Sequence, residues 1–561
     1  MRNVVAAALL LSSVSFARQP VHARHTMVVT RETHATDIGD AVLASGGNAV
    51  DAAVAVAFAL AVTHPSAGNI GGGGFMLIRL ANGKSTFIDF RERAPASASR
   101  NMYLDANGEV TEDSTIGYRA SGVPGTVKGM EYAHRKYGHT KWADLVAPAM
   151  ELARNGFPVS WGLSQLLRSK ATAAKLGRFK DSKRIFLNDG RSFEFGDILV
   201  QPDLAKTLER IRSQGSRDFY EGETARLLAA DMQAHGGAIT LGDLRDYKVF
   251  EREPLTGAYR GYGVITAPPP SSGGAGILQM LGILEGTDYE RTGAGSARTL
   301  HFLAETMRRY FADRSEYMGD PDFYPVPLTK LLDPKYIAMR RATIDPAHAT
   351  PSDKILPGKL DGKESTETTH FSILDSEGNA VSVTYTLNGG FGSGVTAEGL
   401  GFLLNNEMDD FAPKPGSRNM FGLIQGEADA IAPHKTPLSS MTPTILTRDG
   451  KTFMVVGAPG GPTIINTVLQ TILNVVDFKM NAQEAVDQPR IHHQWMPDEI
   501  RLERGISPDT IALLRFMGHQ VVQSQSFIGE IAAIVVRDGG ARNGWLEGAP
   551  DGRVEAAAKG H

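Results

Sequence analysis

Thr366, Thr368 and Thr369 fall within four residues in KESTETTHFSILDSEGNAVSVTYTLN, the stretch from Lys363 to Asn388. A threonine hydroxyl is a poor nucleophile until a base takes its proton. If the bond between Glu367 and Thr368 is cut, the freed α-amine of Thr368 becomes that base within the same residue. An α-amine titrates near ~8, suited to proton transfer at neutral pH. The surroundings suit a break at this point. The preceding PSDKILPGKLDGKESTE (351–367) reads as loop, and a strand pattern starts abruptly at 368. Threonine's own strand preference gives a plainer account of the same pattern.

The hairpin that follows supplies a partner. Asp375 and Asn379 flank Ser-Glu-Gly, a three-residue loop with Gly378 where left-handed backbone is needed. Regular pairing back from this turn sets 374 opposite 380, and hence 368 opposite 386. Directly opposed Cβ atoms lie ~5 Å apart, which brings Thr386 within hydrogen-bond reach of Thr368. Thr369 falls on the other face, and His370 lies about 7 Å along the strand, so His370 reads as structural rather than as a general base. Further on, GAPGGPTI (457–464) places Gly460 and Gly461 before a helix with Pro462 at its first position. N–H groups at a helix start favour anions, and the anion of acyl transfer is the tetrahedral oxyanion. Pro462 donates nothing, so Gly460 and Gly461 must supply the donors. A tight strand-to-helix turn would use the same glycines. The run GGGGF (71–75) leads into a strand instead, so close packing is expected there rather than a nucleotide site.

Several long motifs stand in one order along the chain: GGNAVDAAVA, GGGGFML, DFRERAP, PPPSSGG, TETTHFSILDSEGNAVSVTYTLN, GFLLNNEMDDFAPKPG, PLSSMTPTI, GAPGGPTI and HHQWMPDE. Together they resemble the γ-glutamyltranspeptidases (glutathione hydrolases) over nearly the whole chain after its first residues. The resemblance implies an α+β fold, the four-layer αββα sandwich of N-terminal nucleophile hydrolases. It implies autocleavage between Glu367 and Thr368 into a large subunit (24–367) and a small one (368–561) that stay together. It implies γ-glutamyl donors such as glutathione, water or an amine as acceptor, and no cofactor or metal.

Such a substrate presents one α-carboxylate and one α-ammonium. A carboxylate is best met by a guanidinium fork. Arg91 and Arg93 share a strand face in DFRERAP; the family motif selects Arg91, with Ser439 and Ser440 of PLSSM as accompanying hydroxyls. Asn388, Glu407 and Asp410 resemble the family's ammonium acceptors. By itself NNEMDDF would read as an acidic loop or a calcium site, but its spacing matches no EF-hand loop. Two departures stand out: Ala458, where a serine is common, and Phe421 in a lid loop (411–425), where many bacterial members carry tyrosine.

The elements that must hold these residues divide the chain in two. Thr36 to Val62 reads as two alanine-rich helices broken at SGGN (45–48), followed by a hairpin of GFMLIRL and STFIDF. Residues 120–255 and 296–342 are helical in pattern. APPPSSGG (267–274) is loop, with a helix expected from about Ala275. After Thr368 come strands at 368–375, 380–387, PTILTRDG and TFMVVGAP, then the helix PTIINTVLQTILNVVDF. Antiparallel sheets covered by helices, an α+β layered fold, fit this order.

Bulk properties exclude several functions. At 561 residues the chain exceeds one typical core, and its net charge of −4 gives no footprint for nucleic acid. With no cysteine there are no disulfides and no thiolate chemistry. Arg2, an apolar run from Val4 to Val14, and small-x-small sites ending at Ala17 and Ala23 read as a signal peptide, so a periplasmic or secreted protein is expected. AVDAAVAVAFALAVTHP (49–65) contains Asp51 and ends at Pro65, short of the ~20 residues a membrane span requires. Two rival readings are a cephalosporin (glutaryl) acylase of the same fold and a non-catalytic amino-acid-binding protein. The first has no need of ammonium acceptors beside Arg91; the second has no use for Thr368 paired with Thr386.

Overall fold

The computed structural model describes residues 18–355, 368–414, 426–537 and 544–561. Glu367, the residues up to Ala17 and Phe421 lie outside the described residues.

Two seven-stranded sheets form the centre. In the first, the strand order is Ala557–Lys559, Met27–Thr30, Thr369–Leu374, Ala380–Thr386, Gly73–Arg79, Ser85–Asp89, Phe250–Arg252. In the second it is Val21–Ala23, Trp545–Pro550, Ala532–Arg537, Lys451–Gly457, Thr444–Arg448, Tyr262–Thr266, Leu255–Tyr259. Every pairing in both sheets is antiparallel, and each sheet mixes strands from before and after Thr368.

Strand alternation separates the layers. In the first sheet Val28, Met76, Ile78, Ile88, Phe371 and Ile373 enter one core together with the helix Ala49–Thr63. Their neighbours Val29, Phe75, Leu77, Phe87 and Leu374 enter the other, with Ile445, Val455 and Ile534 of the second sheet and the helices Gly273–Glu285, Ala297–Tyr317 and Thr463–Val476. The layers therefore run helix, sheet, sheet, helix, as the resemblance implies.

Local details explain the elements. All of Ala49–Thr63 is buried, which is why it is apolar on every side. Asp51, the one charge in that run, belongs to a capping box with Asn48 and also accepts from the N–H groups of His139 and Thr140. The helix after APPPSSGG begins at Gly273, two residues earlier than the pattern predicts. The helical stretch 296–342 resolves into Ala297–Tyr317, Leu328–Leu331 and Pro334–Ala342. The glycine run 71–74 is a packing device. A Cβ on Gly72 would sit 2.0 Å from the Thr386 carbonyl oxygen, and one on Gly74 2.4 Å from that of Thr384.

Candidate active site

The hairpin register is the expected one: Leu374 faces Ala380 and Thr369 faces Tyr385, so the next rung sets Thr368 against Thr386. Their hydroxyl oxygens lie 3.4 Å apart. The Thr386 hydroxyl also accepts from the Asn388 N–H at 2.8 Å. Behind it, Asn69 donates to the Thr386 carbonyl (2.8 Å) and accepts from Gly72 N–H (2.9 Å) and the Thr126 hydroxyl (2.7 Å). Asn69 ties the glycine loop to the strand carrying Thr386, a role with no marker in the sequence.

His370 lies on the same face, two rungs further in. Its ring bonds Thr384 (2.8 Å) and Ser372 (3.1 Å), and burial pushes its pKa down to about 3. It is neutral at ordinary pH and tied to the seam between the sheets, so the geometry agrees with a structural role.

Gly460 and Gly461 have φ of +126° and +54°, a region that favours glycine. The Gly460 carbonyl accepts from Thr463 N–H (3.1 Å) and its hydroxyl (2.6 Å). The helix begins at Thr463 with Pro462 as its cap, one residue later than expected. Ala458 is fully buried, so its methyl packs in the core.

Arg91 follows the strand Ser85–Asp89. Its N–H bonds the Asp89 carboxylate at 3.1 Å, and its carbonyl takes the Tyr247 hydroxyl at 2.9 Å. The guanidinium is 1% exposed; it bonds Asp410 at 2.6 Å and makes a closer ion pair with Glu407. Glu407 has no well-aligned hydrogen bond in this geometry, so that contact is charge against charge. Glu92 stands 3.6 Å away. Arg93 turns elsewhere, over the Phe250 ring at 4.1 Å, which separates two arginines that composition could not.

Glu407 and Asp410 sit on the 3-10 turn Glu407–Asp410, whose first N–H is held by Asn405 at 3.0 Å. The Asn388 side chain donates to the Asn406 carbonyl at 2.9 Å. The Ser439 hydroxyl accepts from Met441 N–H at 3.1 Å. The Ser440 hydroxyl accepts from Arg314 at 3.2 Å, and Arg314 also donates to Ser272 at 2.9 Å. Sequence reasoning missed Arg314 and Ser272.

One pocket is lined by Arg91, Arg314, Thr368, Thr386, Asn388, Glu407, Asp410, Ser439, Ser440 and Gly461. Of the catalytic and substrate-binding candidates named from the sequence, all of them described, Gly460 alone lies off it; it lines an adjoining cavity that also touches Thr368. Burial, reinforced by neighbouring carboxylates and opposed by Arg91, raises the pKa of Glu407 well above the usual range and that of Glu92 to about 7. Asp410 is raised as well, again chiefly by burial. Burial works against the charge on Arg91, but Glu407, Glu92 and Asp410 outweigh it and keep Arg91 protonated. Three carboxyl groups thus share one guanidinium at this end. Such a cluster can receive a zwitterion, whose carboxylate takes over the arginine while its ammonium takes over the acids.

The chain is similar to known proteins over most of its length. A family model described as gamma-glutamyltranspeptidase matches residues 35–561. The glutathione hydrolase proenzyme of Escherichia coli (strain K12) is 50% identical over 535 residues, 95% of this chain and 91% of its own. The protein of that name from Pseudomonas sp. (strain A14) is 52% identical over 522 residues, 93% of this chain and 90% of its own. Among solved structures, cephalosporin acylase from Bacillus halodurans aligns with TM-score 0.86 at 27% identity, covering 99% of both chains. A chain of Helicobacter pylori gamma-glutamyltranspeptidase aligns with TM-score 0.58 at 45% identity, covering 61% of this chain and 96% of its own.

Proposed function

Because the chain belongs to the γ-glutamyltranspeptidase family, with the N-terminal nucleophile hydrolase fold, we propose that Thr368 is the nucleophile of an autoprocessed γ-glutamyltransferase and glutathione hydrolase. One observation carries this reading. The Thr368 hydroxyl, beside that of Thr386, opens into the pocket that holds Arg91, Glu407 and Asp410.

The bond between Glu367 and Thr368 is cut by the protein itself. What remains of the chain up to Glu367 after signal removal then forms the large subunit, and 368–561 the small one. The aligned Helicobacter pylori chain, at 61% of this one, has about the share that residues 24–367 make up. The new α-amine takes the proton of the Thr368 hydroxyl, and Oγ attacks the γ-carbonyl of the donor. Thr386 orients that oxygen. The N–H groups of Gly460 and Gly461 stabilise the tetrahedral oxyanion. The leaving amine departs with a proton, and a γ-glutamyl ester on Thr368 remains. Water or a second amine then attacks the ester and restores the hydroxyl. Arg91, Ser439 and Ser440 hold the α-carboxylate, with Arg314 behind Ser440; Asp410, Glu407 and Asn388 hold the α-ammonium.

Export fits the N-terminal pattern. Among the described residues no helix is long and apolar enough to cross a membrane. Val21–Ala23 is an edge strand paired with Leu546–Gly548. A signal cut after Ala17 keeps that strand and one after Ala23 deletes it, which favours Ala17.

Purified protein should give two fragments without added protease, the smaller beginning Thr-Thr-His-Phe, and Thr368→Ala should stay a single inactive chain. Wild type that remains one chain yet turns over γ-glutamyl-anilide would refute the N-terminal nucleophile.

A further inference from the structure

The strand Ala380–Thr386 runs out of the site into a turn that is left-handed at four positions. Asn388 and Phe391 have φ of +73° and +60°, and Gly392 and Gly394 have +55° and +81°. Such backbone costs a residue with a side chain, so Asn388 and Phe391 stay there only because their surroundings hold them. The site depends on the first residue of this turn. Asn388 gives its N–H to the Thr386 hydroxyl at 2.8 Å and its carboxamide to the Asn406 carbonyl at 2.9 Å. The next N–H, that of Gly389, reaches the Asn406 side chain at 2.9 Å.

The rest of the turn is held from elsewhere in the chain. Lys175, in the helix Lys170–Leu176, donates from its one ammonium to the carbonyls of Gly390 (3.0 Å) and Gly392 (2.9 Å). These carbonyls flank Phe391 and converge on a single nitrogen, as backbone oxygens do around a cation. A Cβ on Gly394 would sit 2.7 Å from Lys175 Cγ, so the lysine stem lies along the turn. Two neutral contacts join it. The Phe391 N–H donates to the Ser66 carbonyl at 2.8 Å, and the Ser182 hydroxyl donates to the Gly394 carbonyl at 2.7 Å. Of these three holds only the lysine's carries charge, and charge-assisted bonds are the stronger kind. Ser66, Lys175 and Ser182 all precede Thr368 in the chain, whereas the turn follows it.

We propose that Lys175 is a positioning residue, whose ammonium braces the turn 388–394 so that Asn388 stays aimed at the donor's α-ammonium and keeps the Thr386 hydroxyl in place. Lys175 lines neither the pocket holding Arg91 nor the adjoining cavity, so it acts through Asn388 rather than on the substrate. The proposal rests on the reading of Thr368 and Asn388 given above. It makes selectivity for the ammonium depend on a residue of the large subunit remote from the pocket.

The test compares γ-glutamyl-anilide with glutaryl-anilide, which lacks the ammonium, per cleaved enzyme. In wild type the γ-glutamyl donor should lead in kcat/KM. Lys175→Met, which keeps the stem and loses the charge, should cut that lead by about tenfold, the scale of one charge-assisted contact. Lys175→Arg, which restores a cation, should recover part of it. A role confined to stability would lower the melting temperature and leave the ratio of the two donors where it was. An unchanged ratio in Lys175→Met therefore overturns the proposal, as does a Lys175→Arg ratio no better than that of Lys175→Met. If Lys175→Met does not mature, Lys175→Gln, which still offers N–H groups to the turn, decides by the same ratio. Wild type that fails to turn over γ-glutamyl-anilide, or that turns over glutaryl-anilide equally well, would instead refute the underlying reading.

Discussion

In the proposed mechanism, Arg91 and Asp410 carry the most specific chemistry. Both ends of the glutamyl head must be held for the γ-carbonyl to reach Thr368 in attack geometry. The scissile amide is ordinary, so selectivity comes from the far end. Arg91 is buried against Glu407 and Asp410, and a lysine would put a point charge where two acids and a carboxylate compete for a planar fork. Arg91→Lys should therefore cost about 2–3 kcal/mol, roughly 30- to 150-fold in kcat/KM for γ-glutamyl donors. Asp410→Asn should penalise γ-glutamyl-anilide more than glutaryl-anilide, because only the former brings an ammonium. Equal losses for both donors, in enzyme shown to be cleaved, would make Asp410 a support of the fold or of maturation. The same comparison separates this protein from a glutaryl acylase.

At the scale of elements, the placement of Thr368 depends on how closely two backbones approach. The glycine run 71–74 leads into the strand Gly73–Arg79, which pairs with Ala380–Thr386. A methyl on Gly72 would displace the Thr386 carbonyl and the Asn69 contact that holds it. Gly72→Ala should therefore leave most of the chain uncleaved, as seen on a denaturing gel. Gly242→Ala, with nothing nearer than 3.5 Å to the new Cβ, should cleave normally. The hairpin itself was legible because one turn with Gly378 fixes every rung up to Thr368 and Thr386. Packing of GGGGF was legible because a strand, not a helix, follows it. Arg314 was not. Its helix, Ala297–Tyr317, carries charge on faces that are all buried, through pairs such as Glu305 with Arg309 and Asp313 with Arg340. Periodicity assumes that charge marks the wet side, and here ion pairing replaces water. Asn69 was hidden for a related reason: two of its hydrogen bonds reach the Thr386 carbonyl and the Thr126 hydroxyl, far away in sequence.

For the whole molecule, a cut before Thr368 would fall inside a continuous structure rather than between domains. In the first sheet Thr369–Leu374 lies against Met27–Thr30, and Ala380–Thr386 against Gly73–Arg79. In the second, Val21–Ala23 lies against Trp545–Pro550, and Tyr262–Thr266 against Thr444–Arg448. Four ladders thus join the two pieces, and Ala557–Lys559 adds a fifth against Met27–Thr30. Both cores draw side chains from each side of the cut: one holds Phe371 and the helix Ala49–Thr63, the other holds Phe75 and Leu374. Separating the pieces would expose both sheet edges and both cores at once, so dissociation and unfolding should be one event. Cleaved protein should run as a single species on native size exclusion at any dilution, and its urea unfolding should show one transition whose fluorescence and circular-dichroism midpoints coincide. Recovery of a folded large piece after mild dilution, or a first transition that releases the small piece while the large one keeps its secondary structure, would mean that the interleaved sheets do not act as one body.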